Sequence, residues 1–229
     1  MHGLPFEKIR CGFCEVIWWP FHVTIDEYHL KNRLSGDEWE RANSMKSVTR
    51  RQEYLRARYL VREILDCSEA LPPSVHGAPS WPAGWKGSIS HKDGHVAVAV
   101  SNEAQWRGLG IDVESCAKVR INIESRIIDE EEARILDAYE GIWDRPSLLA
   151  MVFSFKESIF KCHFPLGRKM FYFHDAQVED IDLGLGVLRA RLKVDTSPHT
   201  PSGTVVEGYA VIKAEEGQNY VLTSVNLRS

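Results

Sequence analysis

Two carboxylates stand two residues apart in the segment GLGIDVES, residues 108–115. If this segment is a β-strand, Asp112 and Glu114 point to one face, whereas Ile111 and Val113 point to the other face, toward a core. The glycines before them leave room for another backbone or a ligand to approach closely. Two acids on an exposed strand face are common and need no ligand. They repel each other, however, and a divalent cation relieves that repulsion.

A third acid lies in the segment FSFKESIFK. At helical spacing, Glu157 shares a stripe with Phe153 and Phe160. A carboxylate in an aromatic row is costly unless it is exposed or paired. Lys161 follows Glu157 by four residues, but such a pair stabilises a surface helix by only about 0.2–0.5 kcal/mol. Because this is too little to account for the acid, a stronger cationic partner is expected.

Together, Asp112, Glu114 and Glu157 form an all-oxygen set without histidine or cysteine. Such a set selects magnesium, manganese or calcium rather than zinc. Magnesium is usually held by a few carboxylates, and waters and substrate phosphates complete its coordination. The sequence therefore predicts a Mg²⁺ site, which Mn²⁺ would also fit, beside a phosphate-bearing ligand.

A phosphate-bearing ligand also needs cationic and hydrogen-bonding side chains. Arg51, Arg58 and Arg62 fall on one helical stripe in SVTRRQEYLRARYLVREIL, and arginine binds phosphate through two parallel hydrogen bonds. Each of these arginines alone also fits a solvated surface. The other candidates, each with an ordinary structural alternative, are Lys86, Ser90, His91, Lys156 and Lys161.

The elements that would position these residues mix helices and strands. Helical periodicity predicts helices in 35–65, 129–143 and 146–164. Strands are predicted in CEVIWWPF, GLGIDVES and GVLRARLKV, and hairpins in SIS with HVAVAV and in TVVEGYAVIKA with NYVLTSVNL. This order predicts a mixed α+β fold with antiparallel sheets. A boundary is expected within SNEAQWR, dividing the chain into units 1–105 and 106–229.

Composition and charge narrow the class of protein. The chain has 229 residues, 44% hydrophobic content and a formal net charge of −4, which allows a sizeable core and gives no basic excess for nucleic acid. No stretch approaches the roughly 20 apolar residues of a membrane span, and no N-terminal apolar run has signal length. The five cysteines are scattered, so reduced thiols are expected, with a redox role for Cys11 and Cys14 as an alternative. A cytoplasmic protein that binds neither nucleic acid nor membrane is predicted.

Three of these segments together resemble a known family. GSISH at 87–91, GIDVE at 110–114 and FSFKESIFK at 153–161 resemble, in order and spacing, the three signatures of the 4′-phosphopantetheinyl transferases. The chain is similar to the larger class typified by the surfactin and enterobactin synthetase activators, and within it to the enterobactin-type branch. That branch favours a siderophore or another secondary-metabolite pathway.

The family transfers the phosphopantetheine arm of coenzyme A to a serine of an apo acyl or peptidyl carrier protein and releases adenosine 3′,5′-bisphosphate. The resemblance implies a pseudo-duplicated α+β fold of two similar α/β subdomains, with coenzyme A in the cleft between them and one monomeric chain building the whole cleft. It also implies that Asp112, Glu114 and Glu157 hold Mg²⁺ on the diphosphate of coenzyme A, and that Lys161 contacts the phosphates.

The remaining roles follow from the same resemblance. Coenzyme A would further be bound by Ser90, His91, Lys86, Lys156 and either Arg51 or Arg58. Glu132 falls where the family places an acid proposed as general base, although Glu130 and Glu131 are adjacent and a water on the metal is the alternative. Glu157 and Lys161 would also be catalytic, because they act on the transferring phosphate. Basic residues that would face an acidic carrier protein are Lys118, Arg120, Arg126 and Lys169.

Two other functions fit the same residues. A Mg²⁺-dependent phosphohydrolase acting on nucleotides would use the same carboxylates without any carrier protein. A regulatory module would bind a nucleotide or coenzyme A without releasing the bisphosphate. A purely structural alternative leaves the acids as surface charge.

Overall fold

The computed structural model describes residues 6–66, 71, 79–119 and 121–229. The strands are β1 (Glu7–Cys11), β2 (Cys14–Trp19), β3 (Lys86–Lys92), β4 (His95–Ser101), β5 (Trp106–Ser115), β6 (Ala176–Asp182), β7 (Val187–Leu192), β8 (Val205–Glu215) and β9 (Gln218–Arg228). The helices are α1 (Glu27–Arg33), α2 (Gly36–Asn43), α3 (Val48–Leu65), α4 (Glu124–Ile127), α5 (Glu130–Asp137) and α6 (Arg145–Gly167). The predicted α+β class is confirmed.

The strands form two antiparallel sheets. The first has the order β1-β2-β4-β3, and the second has the order β5-β9-β8-β7-β6. Strand β4, the last strand of the first sheet along the chain, ends at Ser101, and β5, the first strand of the second sheet, begins at Trp106. The sheets therefore separate at the segment where the boundary of the two units is predicted, and the division into units 1–105 and 106–229 stays a prediction. No helix in the described residues is long and apolar enough to cross a membrane.

The two sheets pack face to face between two long helices. Alternation along β2 and β4 sends one set of side chains toward α3 and the other toward the second sheet, as period two requires. The set facing α3 comprises Ile17, Trp19, Val96 and Val98. The opposite set, Val16, Trp18, Ala97 and Ala99, packs against Leu109, Ile111, Val113, Tyr220 and Leu222. Helix α6 covers the outer face of the second sheet, so the layers run helix, sheet, sheet, helix.

The local sequence signals account for most element boundaries. The predicted helix over 35–65 divides into α2 and α3, because Ser47 caps a new helix by accepting from the Arg50 amide at 3.3 Å. The hairpin of β3 and β4 turns through Asp93 and Gly94, both with positive φ, as a two-residue hairpin turn requires. Strands β1 and β6 and helices α1 and α4 were not predicted.

The edge strands of the two sheets, β3 and β5, are joined by serine hydroxyls. Ser88 Oγ accepts a hydrogen bond from the Ile111 amide at 3.0 Å. Two residues on, Ser90 Oγ accepts from the Val113 amide at 3.1 Å. Because an edge strand leaves alternate N–H groups unpaired, these side chains satisfy buried donors that no neighbouring strand reaches. We call this junction the β3–β5 seam.

Helix α6 lies directly on the backbone of β5. A methyl group at Gly110 would stand 2.0 Å from the Ser158 carbonyl oxygen, and one at Gly108 would stand 2.6 Å from the Cys162 carbonyl oxygen. Neither contact leaves room for a side chain. The glycines that the sequence places before Asp112 therefore admit another backbone, and they bring α6 beside the acids of β5.

The cysteines Cys11 and Cys14 close the β1–β2 hairpin as buried, free thiols. Burial raises the pKa of Cys11 to about 12 and that of Cys14 to about 11. Since the thiolate is the reactive form, this environment favours the structural interpretation of the CGFC segment over the redox alternative.

Replacing Gly110 tests the close approach of α6. The substitution Gly110→Ala should destabilise the protein by about 1–3 kcal/mol, because the helix must shift to admit the methyl group. Gly36→Ala is the matched control, since nothing lies within 4 Å of a methyl group there. Urea unfolding of both variants gives the comparison. Equal stability of the two variants would contradict the packing described here.

Candidate active site

Two cavities meet along the β3–β5 seam. One has a volume of about 630 Å³ and is lined by basic and aromatic side chains of α3 and α6. The other has a volume of about 600 Å³ and contains the carboxylates of β5 and α6. Both are lined by Arg50, Ile89, His91 and Lys161. They therefore form one continuous cleft, with a basic-aromatic half and an acidic half.

Asp112 is the most constrained acid of the cleft. It is 6% exposed, and its Oδ1 accepts from Lys161 Nζ at 2.7 Å and from Ser90 Oγ at 2.9 Å. Its Oδ2 is buried and has no hydrogen-bond partner among the described residues. A buried carboxylate oxygen without a partner is unfavourable, so this atom has capacity for a further ligand.

Glu114 follows on the same face of β5, as the alternation predicts. It is 7% exposed, and its Oε1 accepts from the Ser115 amide at 3.0 Å. The ammonium of Lys92, at the end of β3, forms an ion pair with the same oxygen. Burial raises the pKa of Glu114, and the contact with Lys92 opposes that shift.

Glu157 projects from α6 into the acidic half beside these two acids. Burial raises the pKa of its carboxyl, and the negative charge of Asp112 adds to the shift, whereas Lys161 opposes it. Phe153 lines the same cavity, and Phe160 stacks on Phe164 with ring centroids 5.0 Å apart. The acid in the aromatic row is thus explained by its position at the cleft.

The donor set fits a hard divalent cation. Three carboxylates and no nitrogen or sulfur ligand favour magnesium or manganese, and the unpartnered Oδ2 of Asp112 offers a ligand atom. Among the described residues, however, no three histidine, cysteine, aspartate or glutamate side chains already stand close enough to hold an ion. Lysines instead pair with one oxygen of Asp112 and one oxygen of Glu114, so an ion that binds here would compete with their charges.

The basic-aromatic half of the cleft holds an arginine suited to an anion. Arg58 is 5% exposed, and its Nη1 has no hydrogen-bond partner among the described residues. Its guanidinium lies 5.1 Å from the ring centroid of Tyr54. Other aromatic residues that line this cavity are Trp81, Phe160 and Phe164. Of the two arginines predicted as alternatives, Arg51 and Arg58, the structure therefore brings Arg58 to the cleft.

His91 lies in a charged group with Arg50 and Glu53, two residues that were not predicted from the sequence. Its Nδ1 lies 3.2 Å from Glu53 Oε2, and its Nε2 lies 2.7 Å from Arg50 Nη1. Burial lowers the pKa of His91, and the charge of Glu53 opposes that shift. Arg50 and Glu53 lie three residues apart on α3, a spacing that places them on one helical face. That spacing is the signal that would have found them.

Arg51, Arg62 and Lys86 are not brought to the cleft. Arg51 donates to Glu27 at 2.7 Å and stacks over Trp39. Arg62 pairs with Glu38 at 2.6 Å in the interior. Lys86 donates to backbone carbonyls outside the cavity. Of the two alternatives, Arg51 thus lies away from the cleft, whereas its neighbour Arg50 lines both cavities, because one residue along a helix turns the side chain by about 100°.

Glu132 and Lys156 form a buried ion pair away from the cleft. They are 0% and 2% exposed, and Lys156 Nζ lies 2.5 Å from Glu132 Oε1. Glu132 also accepts from the amides of Asp129 and Val178, and Lys156 donates to the Ile127 carbonyl. These contacts join α4 and α5 to α6, and α5 to β6. The expected roles, general base for Glu132 and phosphate contact for Lys156, are therefore not supported by their positions.

Comparison with known proteins gives family matches to both halves of the chain. A model described as the 4′-phosphopantetheinyl transferase N-terminal domain matches residues 40–101. A model of the 4′-phosphopantetheinyl transferase superfamily matches residues 108–222. The chain belongs to the 4′-phosphopantetheinyl transferase superfamily. The expectation of a transferase enzyme of this family is thereby confirmed.

Curated relatives carry the same description. The 4′-phosphopantetheinyl transferase Npt of Nocardia iowensis is 30% identical over 155 residues, which covers 63% of this chain and 68% of Npt. Svp of Streptomyces mobaraensis is 36% identical over 132 residues, covering 54% of this chain and 50% of Svp. PptT of Mycobacterium tuberculosis is 29% identical, and the match covers 58% of it. The chain thus spans between half and about two thirds of these relatives, and the enterobactin-type branch stays a prediction.

Solved structures of holo-acyl-carrier-protein synthases also align in part. The protein from Thermotoga maritima aligns with a TM-score of 0.34 and 22% identity, over 52% of this chain and 62% of that one. The protein from Bacillus anthracis, solved in complex with CoA (3′,5′-ADP), aligns with a TM-score of 0.34 and 18% identity, over 55% of this chain and 99% of that one. Alignments of this score support no residue-level comparison.

The buried pair of the transferase gives a stability prediction. Glu132→Gln should lower the free energy of unfolding by about 3–5 kcal/mol, because it leaves the Lys156 ammonium buried without a counter-charge. Glu130→Gln, at an exposed pair on the same helix, is the control and should change stability little. Urea unfolding and the transfer assay are measured on both variants. A Glu132→Gln protein with normal stability and no transfer would restore its role in the chemistry.

Proposed function

We propose that the protein transfers the 4′-phosphopantetheine arm of coenzyme A to a serine of an apo acyl or peptidyl carrier protein, with Mg²⁺, and releases adenosine 3′,5′-bisphosphate. Family membership supports the reaction class. The observation that carries the proposal is the position of Lys161, which lies between the basic-aromatic half and the acidic half of one cleft.

The basic-aromatic half suits the nucleotide end of coenzyme A. Aromatic faces such as Tyr54 and Trp81 offer stacking surface for a base. Arg58 brings a buried guanidinium whose Nη1 has no partner in the described part of the chain, and guanidinium groups bind phosphate in a bidentate manner. Arg50 and His91 stand at the passage into the acidic half. The 3′-phosphate would be bound by these cationic residues.

The diphosphate would then lie at Lys161, next to the acidic half. Asp112, Glu114 and Glu157 would hold Mg²⁺, which supplies charge neutralisation to the diphosphate when it is bound. Ser90 acts as a positioning residue rather than a nucleotide contact, since its hydroxyl is bonded to both Asp112 and Lys161. It thereby keeps the acid and the lysine together at the seam.

The transfer exchanges one phosphorus–oxygen bond for another. The carrier serine Oγ bonds to the phosphorus that bears the pantetheine arm, and the bond from that phosphorus to the bridging oxygen breaks. The electron pair leaves with adenosine 3′,5′-bisphosphate, whose charge Lys161 stabilises. The serine proton is accepted within the cleft and not at Glu132, which is enclosed in the protein.

The carrier protein would meet the enzyme on exposed basic residues. Arg126 and Lys169 are exposed. Lys118 is exposed as well but pairs with Asp93 at 2.6 Å. Arg120, expected in the same group, lies outside the described residues. An acidic carrier surface would complement Arg126 and Lys169, and the protein is proposed to act as a cytoplasmic monomer.

Removing the charge of Glu157 tests the site. Glu157→Gln should reduce transfer by about 10²–10³-fold, as the loss of a charge-stabilising group does. The fold should stay intact, because the Glu157 side chain is half-buried and makes no hydrogen bond to the described residues that the substitution would remove. Glu40→Gln, an exposed acid on α2, is the control.

The assay is mass spectrometry of several apo-carrier proteins incubated with coenzyme A and Mg²⁺, with the bisphosphate measured in parallel. Bisphosphate released without any carrier would identify a phosphohydrolase. Binding of coenzyme A without release would identify a regulatory module. Normal transfer by Glu157→Gln would remove the metal assignment.

Arg58 gives a second kinetic prediction. Arg58→Gln should raise the KM for coenzyme A by about tenfold or more, because a hydrogen bond to a charged group contributes about 1.5–3 kcal/mol. Arg51→Gln, seven residues earlier on the same helix and bonded to Glu27, should leave KM near the wild-type value. Equal effects of the two substitutions on KM would exclude Arg58 from the nucleotide end.

A further inference from the structure

Lys92 ends a ladder of side chains that joins β3 to β5. Ser88, Ser90 and Lys92 alternate along β3 and share one face. The first two bind backbone amides of β5, and the third pairs with the Glu114 carboxylate. The lysine side chain is 28% exposed, whereas the glutamate side chain is 9% exposed. The proposed function assigns Lys92 no role.

The ammonium of Lys92 occupies one of the two carboxylate oxygens with which Glu114 could bind a divalent cation. It contacts Glu114 Oε1, which also accepts from the Ser115 amide. A cation on this carboxylate would lie close to the ammonium, and the two positive charges would repel each other. Lys161 holds Asp112 in the same manner, but it lies on the passage to the phosphate-binding half. Lys92 lines the acidic half but not the basic-aromatic half.

We propose that Lys92 is a built-in counter-ion of Glu114 that competes with a divalent cation for this carboxylate. In the absence of the cation, the lysine neutralises one of three neighbouring carboxylates and stabilises the acidic half. When the cation binds, the carboxylate changes partners, and the ammonium turns into the cavity. This inference rests on the proposed function for the identity of the site.

The displaced ammonium couples cation binding to anion binding. The Lys92 ammonium, on a side chain that is 28% exposed, would then carry an unpaired positive charge that attracts an anion. The diphosphate of coenzyme A would supply that charge at the same place. Lys92 therefore weakens the binding of the cation alone and favours its binding together with the anionic co-substrate. Such a coupling is reciprocal, so the cation strengthens coenzyme A binding by the same factor.

The test is a calorimetric titration with MgCl₂ or MnCl₂, with and without coenzyme A, and with no carrier protein so that coenzyme A stays intact. The variants are Lys92→Gln, Lys92→Arg and, as a control, Lys118→Gln. Lys118 is a nearby lysine that pairs with Asp93 and not with Glu114. The control removes the same charge from the neighbourhood without touching the proposed ligand.

The expected result is that Lys92→Gln binds the cation alone about fivefold or more tightly, as loss of a competing charged hydrogen bond predicts, and gains less from coenzyme A than the wild type. Lys92→Arg and Lys118→Gln should resemble the wild type. Unchanged or weaker cation binding by Lys92→Gln overturns the inference, as does equal tightening in Lys118→Gln. If the wild type binds no cation under either condition, the metal assignment itself fails, and the inference fails with it.

Discussion

The arrangement of the site depends on which groups accept hydrogen bonds from the backbone N–H groups at the outer edge of β5. An edge strand exposes N–H groups that attract further strands. Here the hydroxyls of Ser88 and Ser90 accept from those groups, so two sheets meet without a shared backbone ladder. This junction places the acids of β5 beside His91 and Lys92 of β3. Helix α6, seated on the glycines of the same strand, adds its acid and lysine from the other side.

Charged side chains in the interior and charged side chains at the cleft differ in how completely their hydrogen-bonding atoms are paired. The Glu132–Lys156 pair is enclosed and fully bonded, which suits a structural tie between helices. The groups that open to the cleft are only partly satisfied, as the unpartnered oxygen of Asp112 shows. Buried polar groups without partners are rare in folded proteins. Asp112 and Arg58 combine such an atom with a position on the cleft wall, and this combination supports their proposed binding roles.

The sequence predicted the features that depend on local periodicity. Period two along β5 placed Asp112 and Glu114 on one face, and the spacing of the three signatures identified the family. Helical phase was less certain on α3, because charged residues there are buried as well as exposed. The sequence therefore left Arg51 and Arg58 as alternatives and did not single out Arg50. The pairing of Glu132 with Lys156 joins residues far apart in the chain, and no local pattern reveals such a tertiary contact.

The connection between β4 and β5 consists only of residues 102–105. So short a tether holds the two sheets at a high effective concentration relative to each other. Forming the cleft is then a first-order process that dilution does not reverse. An enzyme that built the same cleft from two separate chains would lose it at protein concentrations below the dissociation constant of the two chains. This chain contributes both walls of the cleft, so the cleft persists at any protein concentration.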